Sequence, residues 1–166
     1  MRISGFEPES LVDGPGLRFV IFTQGCHHRC PQCHNPQSWD INGGKEYSVR
    51  EIIRKIKEQK GKKRGITFSG GEPFLQAHEL AEAAQAAHKT GLDVVTYTGF
   101  NYEQLIENEN KDINALLFAS DILIDGKYIH DLRDAALKFR GSSNQRIINV
   151  AESLKEGAVV LWGENN

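Results

Sequence analysis

Outside the eight residues from Cys26 to Cys33 this 166-residue sequence has no cysteine, and those eight residues hold three. An odd number of thiols confined to one short segment excludes a disulfide framework, because one would always be left over. Long apolar runs are missing too, none approaching the roughly 20 residues that a membrane helix needs. The start of the chain, MRISGFEPESLVDGPG, has neither a basic region followed by an apolar stretch nor the Arg-rich, acid-poor make-up of a transit peptide. A cytoplasmic protein with reduced thiols is the expectation. Net charge is also small, −2, which removes any general electrostatic reason to hold nucleic acid. The one basic stretch, KEQKGKKRG over Lys57–Gly65, lies between an expected helix and an expected strand and reads as a solvated turn. With no linker, repeat or low-complexity tract, a single domain over 1–166 is expected. What remains for the three thiols is metal or redox chemistry.

The elements that are present alternate. Leu17–Thr23 (LRFVIFT) is short, β-branched and aromatic between Pro15-Gly16 and Gly25, the mark of a buried strand. Ser48 and Glu51 have the spacing of a capping box and open a helix with Val49, Ile52, Ile53 and Ile56 on its apolar face, stopped by Gly61. A second strand over Ile66–Ser69 leads into Gly70-Gly71-Glu72-Pro73. An alanine-rich helix over Leu75–Thr90 follows, with Gly91 as its C-terminal stop. Asp93–Tyr97 reads as a third strand and Asp121–Ile124 as a fourth. Between them lie helical stretches near Tyr102–Glu107, capped by Asn101, and Ile113–Ala119. Beyond Lys138, FRGSSNQRIINV and AVVLWG read as loop and strand, and the last few residues as a frayed end. Alternating strands and helices imply an α/β fold with a parallel sheet, whose ligands gather outside the carboxyl ends of the strands. The polar clusters at Gln24-Gly25-Cys26, Ser69–Glu72, Thr96–Gly99 and Asp125-Gly126-Lys127 all fall at such ends.

Cys26, Cys30 and Cys33 are spaced C-x-x-x-C-x-x-C on the loop leaving the first of these strands. Three thiolates so close together suit one soft metal centre. A structural zinc would need a fourth ligand, which His27, His28 or His34 could supply, giving a small non-catalytic zinc-binding adaptor. A four-iron, four-sulfur cluster usually takes four cysteines, so three would leave one iron open to a substrate. His78 and His88 fall in the alanine-rich helix and read as structural residues.

Taken together, the cysteine spacing after the first strand and Gly70-Gly71-Glu72-Pro73 after the second resemble the radical S-adenosylmethionine (radical SAM) enzymes. VDGPGLRFVIFTQGC upstream of the cysteines and CHNPQSWD downstream are similar to the members that install a radical on a glycine of a larger partner. The resemblance implies one 4Fe-4S cluster on Cys26, Cys30 and Cys33, and S-adenosylmethionine held by Gln32, Cys33, His34, Gly70, Gly71, Glu72, Pro73, Thr98 and Asp125. The reduced cluster would break the sulfonium, and the 5′-deoxyadenosyl radical would take hydrogen from a partner glycine, with no catalytic residue beyond cluster and cofactor. One departure is Gln32, where many members carry an aromatic residue. His27, His28 and His34 would flank the cofactor rather than close the open iron. Lys127, Asn144, Gln145 and Arg146 are left without an assigned role. The implied fold is an incomplete, TIM-like β/α barrel with a mostly parallel sheet, since four or five strand–helix units fit in 166 residues where a full barrel takes about 250. The implied partners are the large subunit of an anaerobic ribonucleoside-triphosphate reductase and an electron donor such as flavodoxin. A pyruvate formate-lyase-type target is the alternative, which the short chain and FRGSSNQRIINV disfavour.

Overall fold

Four apolar runs become four adjacent parallel strands in the computed structural model, which describes residues 1–163; the frayed end read from the sequence falls mostly beyond them. These are β2 (Arg18–Thr23), β4 (Gly65–Gly70), β5 (Asp93–Tyr97) and β6 (Ile122–Asp125), each within a residue or two of its expected place. Three further strands extend the sheet: β1 (Arg2–Ser10), β3 (Lys45–Glu46) and β7 (Arg146–Asn149). The order is β3-β1-β2-β4-β5-β6-β7. The three central ladders are parallel, whereas β1 pairs antiparallel with β2 and β3, and β7 antiparallel with β6. The two end strands do not meet, so the barrel is open, as expected.

Helices cover the outer face of the sheet. They are α1 (Val49–Lys57), α2 (Ala77–His88), α3 (Tyr102–Ile106), α4 (Lys111–Phe118) and α5 (Val150–Glu156). The capping box of Ser48 and Glu51 forms as read, and Gly61 and Gly91 take the left-handed conformation beyond the helix ends. Phe19, Ile21, Ile66, Phe68, Val94 and Leu123 point outward into one core with Ile52, Ile56, Leu80 and Leu116 of the helices. A smaller apolar cluster, Val95, Ile122 and Ile124 with Tyr97 and Phe139, lies on the concave face.

Three elements depart from the sequence reading, the two-residue β3 among them. The Gly/Pro/Asp-rich entry contains β1, whose pairing with β2 shifts register between Ile3 and Gly5 and again between Glu7 and Ser10, where Pro8 sits. A proline cannot donate to a ladder, so the break falls where it is tolerated. The segment after β7 contains α5, capped by Asn149, whose side chain accepts from the Glu152 amide at 3.1 Å. The basic stretch is partly tied down: Lys63 pairs with Glu9 at 2.5 Å and Arg64 with Asp93 at 2.9 Å. No helix among the described residues is long and apolar enough to cross a membrane.

The concave face carries one deeply buried charge. Arg18 is 0% exposed, and burial pulls its pKa down against the pull of Asp93 at 2.6 Å. Its remaining donors reach Thr67 Oγ1 (2.7 Å) and the carbonyls of Pro15 (2.9 Å) and Ile66 (2.6 Å). A buried guanidinium is tolerable only with such full pairing. It anchors the loop before β2 across the strand starts, closing the end of the sheet opposite the cysteines.

Candidate functional site

A cavity of about 570 Å³ opens at the carboxyl ends of the parallel strands. Cys26, Cys30 and Cys33 line it on one side, and Ser69, Gly70, Gly71, Thr98 and Gly99 line it at the exits of β4 and β5. Phe22 and Tyr97 contribute from the strands themselves. Val12, Asp13, Tyr128, Phe139, Arg140 and Gln145 close it from the loops.

The chain winds the three cysteines onto one side by local means. An amide-to-carbonyl bond from Cys33 to Cys30 (3.1 Å) closes a turn, with Pro31 second and Gln32 third at φ +56°. Proline followed by a positive φ is the pattern of a type II turn. The segment is fastened at its base, where the Gly25 amide donates to the Ser38 carbonyl at 2.7 Å and the Cys26 amide to Trp39 at 3.2 Å. Gln24 Nε2 reaches the carbonyls of Gln37 (3.1 Å) and Asp40 (2.7 Å). The downstream stretch CHNPQSWD thus folds back as a clamp on the cysteine segment.

Backbone amides face the sulfurs. Those of His28 and Arg29 point to Cys26, that of Tyr128 to Cys30, and that of Asn35 to Cys33 Sγ at 3.3 Å. Burial pushes the Cys26 and Cys30 thiols up, and these amides oppose it by favouring the thiolate. Hydrogen bonds to the sulfurs are a lever that proteins use on iron–sulfur clusters. A cubane takes its thiolates at separate irons, and three half-buried sulfurs facing a shared cavity fit that demand.

The Gly70-Gly71-Glu72-Pro73 turn is packed against the root of the cysteine loop. The Gly71 amide donates to the Thr23 carbonyl (2.9 Å) and the Glu72 amide to Gly25 (2.8 Å). A Cβ on Gly71 would collide with the Gly25 carbonyl, and one on Gly70, at φ +92°, would sit 2.8 Å from Phe22. The glycines therefore serve the internal approach of β4 to β2 as well as the cavity wall. The Glu72 carboxylate, 1% exposed, turns away from the cavity. It accepts from Thr98 Oγ1 (3.0 Å), the amides of Gly99 (2.8 Å) and Phe74 (3.1 Å), and His28 Nε2 (2.8 Å).

Of the residues singled out from the sequence, Cys26, His28, Cys30, Cys33, His34, Gly70, Gly71, Thr98 and Gln145 line the cavity. Gln32, Glu72, Pro73 and Asp125 do not. Pro73 is buried at the start of a short 3₁₀ turn. Asp125 is 1% exposed, with its side chain on the helix-facing side of the sheet; it binds Arg146 at 3.0 Å and the Tyr102 amide at 2.8 Å, at the start of α3. Arg146 also holds Glu103 in a fork at 2.7 and 3.0 Å. Gln145 orders the far wall, its Oε1 accepting from the Gly141 and Ser142 amides and its Nε2 donating to Gly126. His78 and His88 pair with Asp112 and Asp121 at the surface. Sequence reasoning missed Tyr128, which carries no motif and reaches the cavity only through the fold; Val12, Phe139 and Arg140 lie in stretches that carry the resemblance but were given no place at the site. Tyr97 was flagged only as part of a strand-end cluster; its hydroxyl donates to the Phe139 carbonyl at 2.5 Å, fastening that wall.

A family model described as a 4Fe-4S single cluster domain matches residues 12–148. The chain is similar to the anaerobic ribonucleoside-triphosphate reductase-activating protein of Salmonella typhi, 33% identical with 87% of this chain and 96% of that protein covered. It is similar to the protein of that name in Escherichia coli K12, at 32% over the same shares. To the pyruvate formate-lyase 1-activating enzyme of Escherichia coli K12 it is 33% identical, with 97% of this chain but 65% of that enzyme covered. Three cysteines on the first parallel strand's exit, the glycine turn on the second's and these relatives agree: the chain belongs to the glycyl-radical enzyme activases of the radical SAM superfamily.

Proposed function

We propose that this activase acts on an anaerobic ribonucleoside-triphosphate reductase, with S-adenosylmethionine as co-substrate in the cavity beside the cluster. The observation that supports the choice of partner is the set of reductase activators among the similar proteins, 32–33% identical to this chain. Cys26, Cys30 and Cys33 would hold the cluster, and three thiolates would leave one iron without a protein ligand. When bound and reduced by a donor such as flavodoxin, the cluster would supply the electron for cleaving S-adenosylmethionine to methionine and 5′-deoxyadenosine, with a hydrogen atom taken from a partner glycine.

The protein's own part is binding, orientation and exclusion of water. Backbone groups of Gly70 and Gly71 offer the cavity a polar edge for the methionine end, and Thr98 lies beside them. His34 stands on the opposite rim against Tyr128, ring centroids 4.8 Å apart, where a purine has flat surfaces to meet. Gln32 shapes the cysteine turn through its backbone at φ +56°. Pro73 fixes the turn, and Glu72 and Asp125 hold their strand ends from behind the cavity.

Mixing the anaerobically reduced, cluster-loaded chain and S-adenosylmethionine with each partner separately tests the reading. A glycyl doublet in the electron paramagnetic resonance (EPR) spectrum of the reductase, and none with the lyase, is expected. A doublet on the lyase alone would reverse the assignment.

A further inference from the structure

His28 is the histidine of the cysteine segment that the fold turns inward. His27 and His34 are exposed, whereas the His28 side chain is 10% exposed. Its ring meets Phe100 edge-on, centroids 4.7 Å apart at 73°. It fills the space beside Gly99 so tightly that a Cβ there would collide with the ring. Its Nε2 lies 2.8 Å from Glu72 Oε2, and since a carboxylate only accepts, the nitrogen carries the hydrogen.

Glu72 thereby gathers donors from three strand exits. His28 comes from the loop after β2, Phe74 from the turn after β4, and Thr98 and Gly99 from the loop after β5. Four donors match the four lone-pair directions of a carboxylate, as a group 1% exposed demands. Without His28, Oε2 keeps only the Gly99 amide and the cysteine segment loses its side-chain link to this group.

We propose that His28 is a positioning residue, a latch that sets the cysteine segment against the Gly70-Gly71 turn. A ligand that must touch both the cluster's open iron and that turn then finds them at one fixed separation. The inference rests on the cofactor reading given above. Neither relative similarity nor the cysteine spacing requires it; the shared carboxylate does. A misplacement of about 1 Å between two binding elements can cost about 100-fold, and a partial displacement correspondingly less.

The test compares cluster-loaded wild type with His28→Ala, His28→Gln, Gly99→Ala and the double variant His28→Ala/Gly99→Ala. Each is measured for iron content, S-adenosylmethionine dissociation constant, the EPR change on adding S-adenosylmethionine, and amide exchange over residues 70–74 and 98–100 before that addition. Wild-type iron content is expected throughout. His28→Ala should weaken binding, by up to about 100-fold, blunt the EPR change and speed exchange in both segments. His28→Gln, whose amide reaches the place of Nε2, should recover most of the loss. Gly99→Ala should mimic His28→Ala by displacing the ring, and the double variant should be no worse than His28→Ala alone. Wild-type affinity and exchange in His28→Ala, equal losses in the Ala and Gln variants, or additive losses in the double variant would each overturn the latch. Should His28→Ala fail to fold, the Gln and Gly99 variants carry the same decision. If wild type itself bound no S-adenosylmethionine, the cofactor reading would fall, while the exchange comparison would still judge the latch.

Discussion

At the scale of single residues, the site depends on positions where the chain has no room to spare. Gly71 is the sharpest case, because its φ is ordinary and its need for glycine is purely steric: a Cβ would strike the Gly25 carbonyl at the root of the cysteine loop. Gly71→Ala should therefore destabilise by about 1–3 kcal/mol, the usual range for overpacking, and should lower the iron retained per folded chain. Thermal melts with iron analysis check both; a variant with unchanged melting and iron would remove the steric account. The cysteines were legible because their ligand spacing is local. Glu72 and His28 were legible as residue types in the right neighbourhood, but not as partners, since 44 residues separate them and only the fold brings them to 2.8 Å. Asp125 was read as facing the cofactor because it ends a strand. One residue's difference in register decides the face of a strand side chain, and here it faces the helices.

At the scale of elements, the parallel strands and their helices could be read because apolar runs, caps and glycine stops agreed with one another. β1 could not, since Gly5 and Pro8 interrupt it and its pairing tolerates both through register shifts. α5 was hidden by the β-branched residues of β7 immediately before it. The β6–β7 pair supplies an energetic test. Asp125 and Arg146 stand directly opposite each other, and Arg146 is shared with the exposed Glu103. Asp125→Asn should cost about 1–3 kcal/mol, because a buried carboxylate's charged hydrogen bonds to Arg146 are weakened while Glu103 still pairs that arginine, whereas Glu103→Gln should cost no more than about 1 kcal/mol. The Arg146 fork holds the Glu103 pKa below its ordinary value, with burial opposing weakly. A carboxylate with a depressed folded pKa stabilises fully above its unfolded value, about 4.3, and the contribution disappears as pH falls through the lower folded value. Denaturant melts of Glu103→Gln and wild type should thus differ at neutral pH and converge in strong acid. A difference that grew as pH fell would contradict the ion-pair assignment.

At the scale of the whole molecule, the sheet closes one end of its concave face with Arg18 and leaves the other end to the cysteines. The open edge between β3 and β7 leaves the curved sheet incomplete. Val12, 74% exposed on the cavity wall, suits a surface that the proposed partner would cover. This arrangement suits the proposed cluster on Cys26, Cys30 and Cys33, which would leave one iron open to S-adenosylmethionine. The most direct measurement is iron analysis with EPR spectroscopy of the anaerobically reconstituted, reduced chain, before and after S-adenosylmethionine is added. About four irons per chain and a cluster signal that changes on addition are expected, as a three-cysteine cubane with an open iron requires. A single bound zinc, or a cluster whose signal S-adenosylmethionine leaves untouched, would contradict the account.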